Sequence, residues 1–196
     1  MIANRLDSSG VLRQHIPMWR VTLLAFLVLA WPACDKDRIN ESYWREQGAE
    51  AVMPLKQNLK RALVKGLEEG PVEAVTACQA VAPAVTKGAG SQVARVGRTS
   101  HKLRNPSNAP KLWMQPLLQG YLTSPDQMEP RIVVLDENTV GYVEPIYLQP
   151  MCVTCHGTTI APDVAKRIDE LYPADQATGF EPGHFRGIFW AELSRN

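Results

Sequence analysis

Residues 149–162 read QPMCVTCHGTTIAP and bring three reactive side chains within five positions: Cys152, Cys155 and His156. With 4 cysteines and 4 histidines in 196 residues, chance alone would place a Cys-x-x-Cys-His run in the chain roughly 0.002 times. The chemistry this spacing serves is covalent attachment of a c-type haem. Two thiols one helical turn apart add across the vinyl groups on one porphyrin edge. The adjacent imidazole then lies beneath the ring as the proximal iron ligand. Three other chemistries use part of the pattern. A Cys152–Cys155 disulfide suits an oxidising compartment. A thioredoxin-like pair needs a βαβ setting and gains nothing from the histidine. A zinc site needs a fourth ligand and normally a second close pair. One covalent haem c, held by Cys152, Cys155 and His156, is the expected cofactor.

A haem iron has a second axial position, and the sequence offers several side chains for it. Cys78 is a thiolate candidate, which would lower the reduction potential. It also falls on an apolar helix stripe, where a cysteine behaves as a small buried hydrophobe. His184, Met114 and Met128 are further candidates. Met151 adjoins Cys152 too closely to cross to the opposite haem face, and His101 lies in a polar stretch expected to face water.

These groups need elements to hold them. From residue 40 to about 87 the chain reads helical, with Leu55, Leu59, Leu63 and Leu67 along one face. Gly70 and Pro71 divide it into two helices. Val75, Cys78, Ala82 and Val85 form a stripe on the second. Residues 93–113, VARVGRTSHKLRNPSNAPKLW, are dense in Arg, Lys, Asn, Ser and Pro and predict a structured surface loop. APKLWMQPLLQGYLTSPDQ then reads as one short helix or two, interrupted at Pro116. RIVVLDENTVGYVEPIYL predicts a hairpin turning at Asp136, Glu137 and Asn138. PDVAKRIDELYP starts on a proline and spaces Val164, Ile168 and Leu171 for a helix, while HFRGIFWAEL alternates as a closing strand.

Composition is that of a globular chain, 45% hydrophobic and 21% charged, with a formal net charge of +1. No basic stripe stands out, so a nucleic-acid partner is not expected. The run from Val21 to Trp31 is too short to span a bilayer and fits a signal-peptide core. It ends in Pro32-Ala33-Cys34, the layout of a lipoprotein signal in which Cys34 becomes the acylated first residue. An ordinary secretory cut nearby and an uncleaved anchor are the other readings. Translation starting at Met18 would leave residues 1–17 outside the signal. Every reading exports the domain to the periplasm, and the lipoprotein reading adds a membrane tether through lipid on Cys34. The expected organisation is an extension and signal peptide over 1–33, a linker over 34–40, and a haem domain over 41–194. Without residues 1–33 the chain stands near neutrality, at about −1.

Helical AVTACQAVAPAV, then VGRTSHKLRNPSNAP, YVEPIYLQPMCVTCHG and a closing FRGIFWAEL resemble the bacterial periplasmic PAS-like c-haem domain family, formerly a domain of unknown function. The resemblance runs over roughly residues 40–194. It implies an α+β fold, with N-terminal helices packed on a PAS-like antiparallel β-sheet. It also implies Cys78 as the second axial ligand, beside Cys152, Cys155 and His156. Arg98, Lys102 and Arg104 then become candidate partners for the haem propionates, which suit a guanidinium fork. A solvated basic face is the alternative reading of these three. Asn105 and Asn108 read as turn formers, and Trp113 and Tyr142 as core.

Members of that family often form the sensory part of signalling proteins. The function expected is therefore a redox- or gas-responsive haem protein with a redox or signalling partner. A small electron-transfer cytochrome c is the alternative. A peroxidase-like enzyme is disfavoured, because no distal His/Arg pair is visible and a six-coordinate iron blocks substrate access.

Overall fold

The structure, a computed structural model, describes residues 39–88, 94–124 and 126–195, with side chains 81–88 and 94 excepted. Cys34 and the signal region lie outside the described residues, as do the side chains of Ala82 and Val85. Among the described residues no helix is long and apolar enough to cross a membrane.

The helical pair forms as its sequence dictates. Asn40 caps α1 (Glu41–Glu69) by accepting from the Tyr43 N–H at 3.1 Å. Gly70 ends it, and α2 (Pro71–Gly88) begins on Pro71. The buried positions of α1 are Gly48, Val52, Leu55, Leu59 and Gly66, so the contact drifts off the leucine row and leaves Leu63 and Leu67 half-buried. On α2, Ala74 and Val75 are buried and Cys78 is half-buried.

Four antiparallel strands form one sheet in the order β1-β4-β3-β2. They are β1 (Ala94–Thr99), β2 (Arg131–Asp136), β3 (Thr139–Tyr147) and β4 (Phe185–Ser194). The fold is thus α+β, and the predicted hairpin and closing strand are present as β2–β3 and β4. The sequence reading of 93–113 as a surface loop is corrected for its first part. Residues 94–99 pair with β4 from Ala94↔Leu193 to Thr99↔Ile188, and Val96 is 2% exposed. The arginines at 95 and 98 hide a strand whose other residues are small or β-branched. Pro116 does not interrupt a helix either. It occupies the first turn of α3 (Gln115–Thr123), where its missing N–H costs nothing.

Strand alternation gives the sheet two apolar faces. One face packs Val96, Tyr142, Ala191 and Leu193 on Val52, Leu55 and Leu59 of α1. The other packs Val143, Phe185 and Ile188 on Met114, Leu118 and Tyr121. The remaining helices, α4 (Val153–His156) and α5 (Pro162–Leu171), follow the hairpin, and α5 packs on α2 through Val75, Val164 and Ile168. Tyr142 and Trp113 serve packing, as the sequence reading had it.

At Gly48, α1 lies directly on the Tyr142 ring, where a Cβ would come within 2.2 Å of Cγ. Gly48→Ala is expected to destabilise the fold by about 1–3 kcal/mol through overpacking, and Leu55→Ala by about 2–5 kcal/mol through a cavity. Urea unfolding of each variant measures both effects.

Candidate functional site

The site is built where the CVTCH helix, α2, the segment after β1 and the segment after α5 meet. Pro150–Cys152 forms one 3₁₀ turn, α4 continues it to His156, and the Gly157 N–H closes it on Val153 O at 2.9 Å. The spacing of three puts Cys152 and Cys155 on one side of this turn. After α5 the chain returns alongside. Gly179 N–H donates to Gly157 O at 2.9 Å and Phe180 N–H to His156 O at 3.0 Å.

That return places the Ala177 carbonyl 2.6 Å from His156 Nδ1. A carbonyl only accepts, so Nδ1 carries the proton and the neutral ring keeps its lone pair on Nε2. Burial pushes this imidazole well below its usual range, and Arg104 and Arg186 push it the same way. The ring is held neutral, in the tautomer a metal ligand requires.

Cys78 is drawn to the same place. It follows Val75 by one turn on α2, and Cys155 packs on the cluster that Val75 forms with α5. Burial raises the Cys78 thiol, opposed by Arg98 and then Arg104. Burial also raises Cys155, with Arg104 opposing and Cys78 and Cys152 adding. Cys155 therefore lies within electrostatic reach of Cys78, and the two share Arg104 as a neighbour.

The basic residues divide by role. Arg98 lies two residues after Val96 and so on the α1 face of the sheet. Burial depresses its guanidinium while the charges of Cys78 and Tyr172 oppose this. Arg104 Nη2 donates to Cys155 O at 2.5 Å, to Asp175 Oδ2 at 3.0 Å and to Ala177 O at 3.5 Å. Its Nε is buried without a partner among the described residues. Lys102 Nζ donates to Thr178 O at 3.1 Å and lies 5.0 Å from the Phe180 ring centroid.

Sequence reasoning missed Arg186, which donates to Ser100 Oγ at 2.7 Å and to Lys102 O at 3.0 Å. Burial and the charges of Arg98 and Arg104 push it down to about 10, which still leaves it charged at neutral pH. An arginine inside the apolar run HFRGIFWAEL was the available signal. Asp175 and Ala177 were missed as well, and a backbone carbonyl leaves no mark in a sequence.

The other axial candidates lie elsewhere. Met114 is in the α3 core, Met128 is 62% exposed, and Met151 is 42% exposed. His184 is exposed beside Glu181. His101 does not simply face water, as its polar neighbours suggested. It stacks on Phe185 at 5.8 Å and 13°, meets the Phe180 edge at 5.8 Å, and buries an Nδ1 that has no partner among the described residues. A separate groove of about 610 Å³ between α2 and α5, lined by residues such as Glu73, Asp163 and Arg167, touches none of the CVTCH residues.

Burial, then Arg186 and Lys102, also hold His101 below its ordinary 6.5. Because the folded values of His101 and His156 are depressed, the unfolded chain binds more protons in mild acid. Their contribution is fully present above about pH 6.5 and is lost as pH falls toward the folded values. The urea midpoint of the haem-free chain is expected to drop between about pH 7.5 and about pH 5.5, and His101→Phe to flatten that fall. An unchanged slope in the variant would show that His101 does not contribute.

No curated relative matches the chain. The crystal structure of the cyanobacterial heme-protein Tll0287 superposes with a TM-score of 0.53, covering 76% of this chain and 94% of that one at 20% identity. A likeness at that identity is one of fold. Residues 36–194 match the Tll0287-like family, a span that includes every described helix and strand and the whole CVTCH site. The chain belongs to the Tll0287-like family.

Proposed function

We propose that this protein binds one haem c. Cys152 and Cys155 would form the thioethers, His156 Nε2 the proximal ligand and Cys78 Sγ the opposite axial ligand. The observation that carries the reading is the His156 Nδ1–Ala177 bond of 2.6 Å. It leaves Nε2 as the ring's lone-pair nitrogen, on a helix that carries the two thiols. The surroundings fit the group in two further ways. Arg98, Lys102, Arg104 and Arg186 outnumber Asp175, the carboxylate placed among them, so two propionates would answer the surplus charge. Among the described residues the buried Arg104 Nε is a donor without an acceptor, and a propionate oxygen would supply one. The fold match to a heme-protein is consistent with this. The sheet and its flanking helices are read as the PAS-like scaffold of the resemblance.

When bound, the haem supplies a one-electron centre, and an imidazole–thiolate pair sets a low potential. The chain's own residues hold the imidazole tautomer and present cations to the propionates. His156 and Cys78 would both be committed to holding the iron, so the protein acts as a binding and responding module rather than a catalyst. We assign it to the periplasm as a redox- or gas-responsive haem protein acting on a redox or signalling partner, with Cys34 as the point of any lipid tether.

A second reading, electron transfer, draws on one observation. Met151 is 42% exposed beside Cys152, so the thioether edge would lie near the surface, where electron exchange with a carrier takes place.

Protein matured with haem is expected to retain one haem per chain through acid-acetone extraction. Cys78→Ala is expected to lose the thiolate features of the ferric spectrum and to raise the midpoint potential. An identical spectrum in the variant eliminates Cys78 as a ligand. Displacement of the thiolate by carbon monoxide or nitric oxide in the ferrous protein favours the sensor. No spectral response to either gas, with fast exchange to small carriers, favours the electron carrier.

A further inference from the structure

We infer that the Arg104–Asp175 ion pair is a positioning device for His156, fixing the rotation of its imidazole and the electrostatic potential at the iron it would ligate. The inference rests on the haem reading above. Arg104 belongs to the segment after β1, Asp175 to the segment after α5, and Cys155 to α4. One guanidinium nitrogen joins all three, at 2.5 Å to Cys155 O and 3.0 Å to Asp175 Oδ2. The other carboxylate oxygen of Asp175 accepts from the Ala177 N–H at 2.8 Å. Ala177 in turn presents the carbonyl that takes the His156 proton at 2.6 Å. Gln176 N–H adds a bond to Leu103 O at 2.8 Å. The carboxylate thus grips both the guanidinium and the residue that orients the ring.

Position and charge act together here. The Arg104 and Asp175 side chains are 14% and 5% exposed, so their fields are weakly screened. Removing one partner from such a pair leaves the other buried and uncompensated. With Arg98 and Arg186 nearby, loss of the Asp175 charge leaves a net positive site. A positive site favours the ferrous state, which carries one positive charge fewer than the ferric. A staple that only anchored loops would affect stability and leave the iron unchanged.

Two variants separate these roles. Asp175→Asn keeps an acceptor for the Ala177 N–H and removes the charge, and Arg104→Lys keeps the charge and removes the fork. In haem-loaded protein, Asp175→Asn is expected to shift the midpoint potential upward. Arg104→Lys is expected to shift it less while changing the anisotropy of the ferric paramagnetic resonance spectrum, which reports the imidazole plane. In the haem-free full chain, ¹⁵N resonances of His156 are expected to show one Nδ1–H tautomer in the parent and a mixture in both variants.

Loaded variants with the parent's potential and resonance anisotropy would overturn the inference. So would a single Nδ1–H tautomer in haem-free variants, whether or not they take up haem. A parent chain that never acquires covalent haem defeats the haem reading instead, and the tautomer measurement still judges the ion pair.

Discussion

A buried guanidinium needs acceptors, and Arg104 is the place where this constraint shapes the molecule. One of its nitrogens, Nη2, reaches a helix carbonyl, a carboxylate and the carbonyl of Ala177. No one of these acceptors is local to it in sequence. The separations run from 51 to 73 residues, so the contact exists only once α4, the segment after α5 and the segment after β1 have come together. The desolvation cost of the charge makes that convergence specific, because a shifted register would leave the guanidinium or Asp175 buried without its partner.

The sheet supplies the frame on which this happens. Tyr142 and Val143 are neighbours in β3, yet one packs on α1 and the other on the α3 side. Both faces are therefore dry along the middle of the sheet, and β3 is continuously buried from Val140 to Val143. The same alternation assigns Arg98 to the α1 face and Gly97 to the face where the Trp190 ring closes over it. Strand parity thus delivers Arg98, the segment after β1 delivers Lys102 and Arg104, and helices deliver the sulfur and imidazole groups.

What was legible in the sequence follows the range of the forces involved. The CVTCH spacing, the Gly70-Pro71 break and the hairpin at Asp136–Asn138 are local, so a short window contains their cause. Cys78 was legible as a residue type on a stripe, but its neighbourhood with Arg98 and Cys155 depends on how α2 crosses α4 and α5. Strand β1 was illegible because four of its six residues are charged or small, and its pairing partner lies at the other end of the chain. His101 was misread for a related reason. Its polar sequence neighbours say nothing of Phe180 and Phe185, which enclose it from far downstream. Asp175 and Ala177 carry no type-specific mark at all.

Strand β4 lies between β1 and β3. Because it is the last of the described strands, the sheet cannot close until residues 185–194 have been made. Before then β1 has no partner, Arg186 is absent from the cation cluster, and the first apolar face lacks Ala191 and Leu193. During synthesis, Cys152, Cys155 and His156 all emerge ahead of the strand that completes their surroundings. The topology therefore builds a delay into the protein's own assembly. The three CVTCH side chains thus stay on an open chain until the last ten residues of the sheet enclose them.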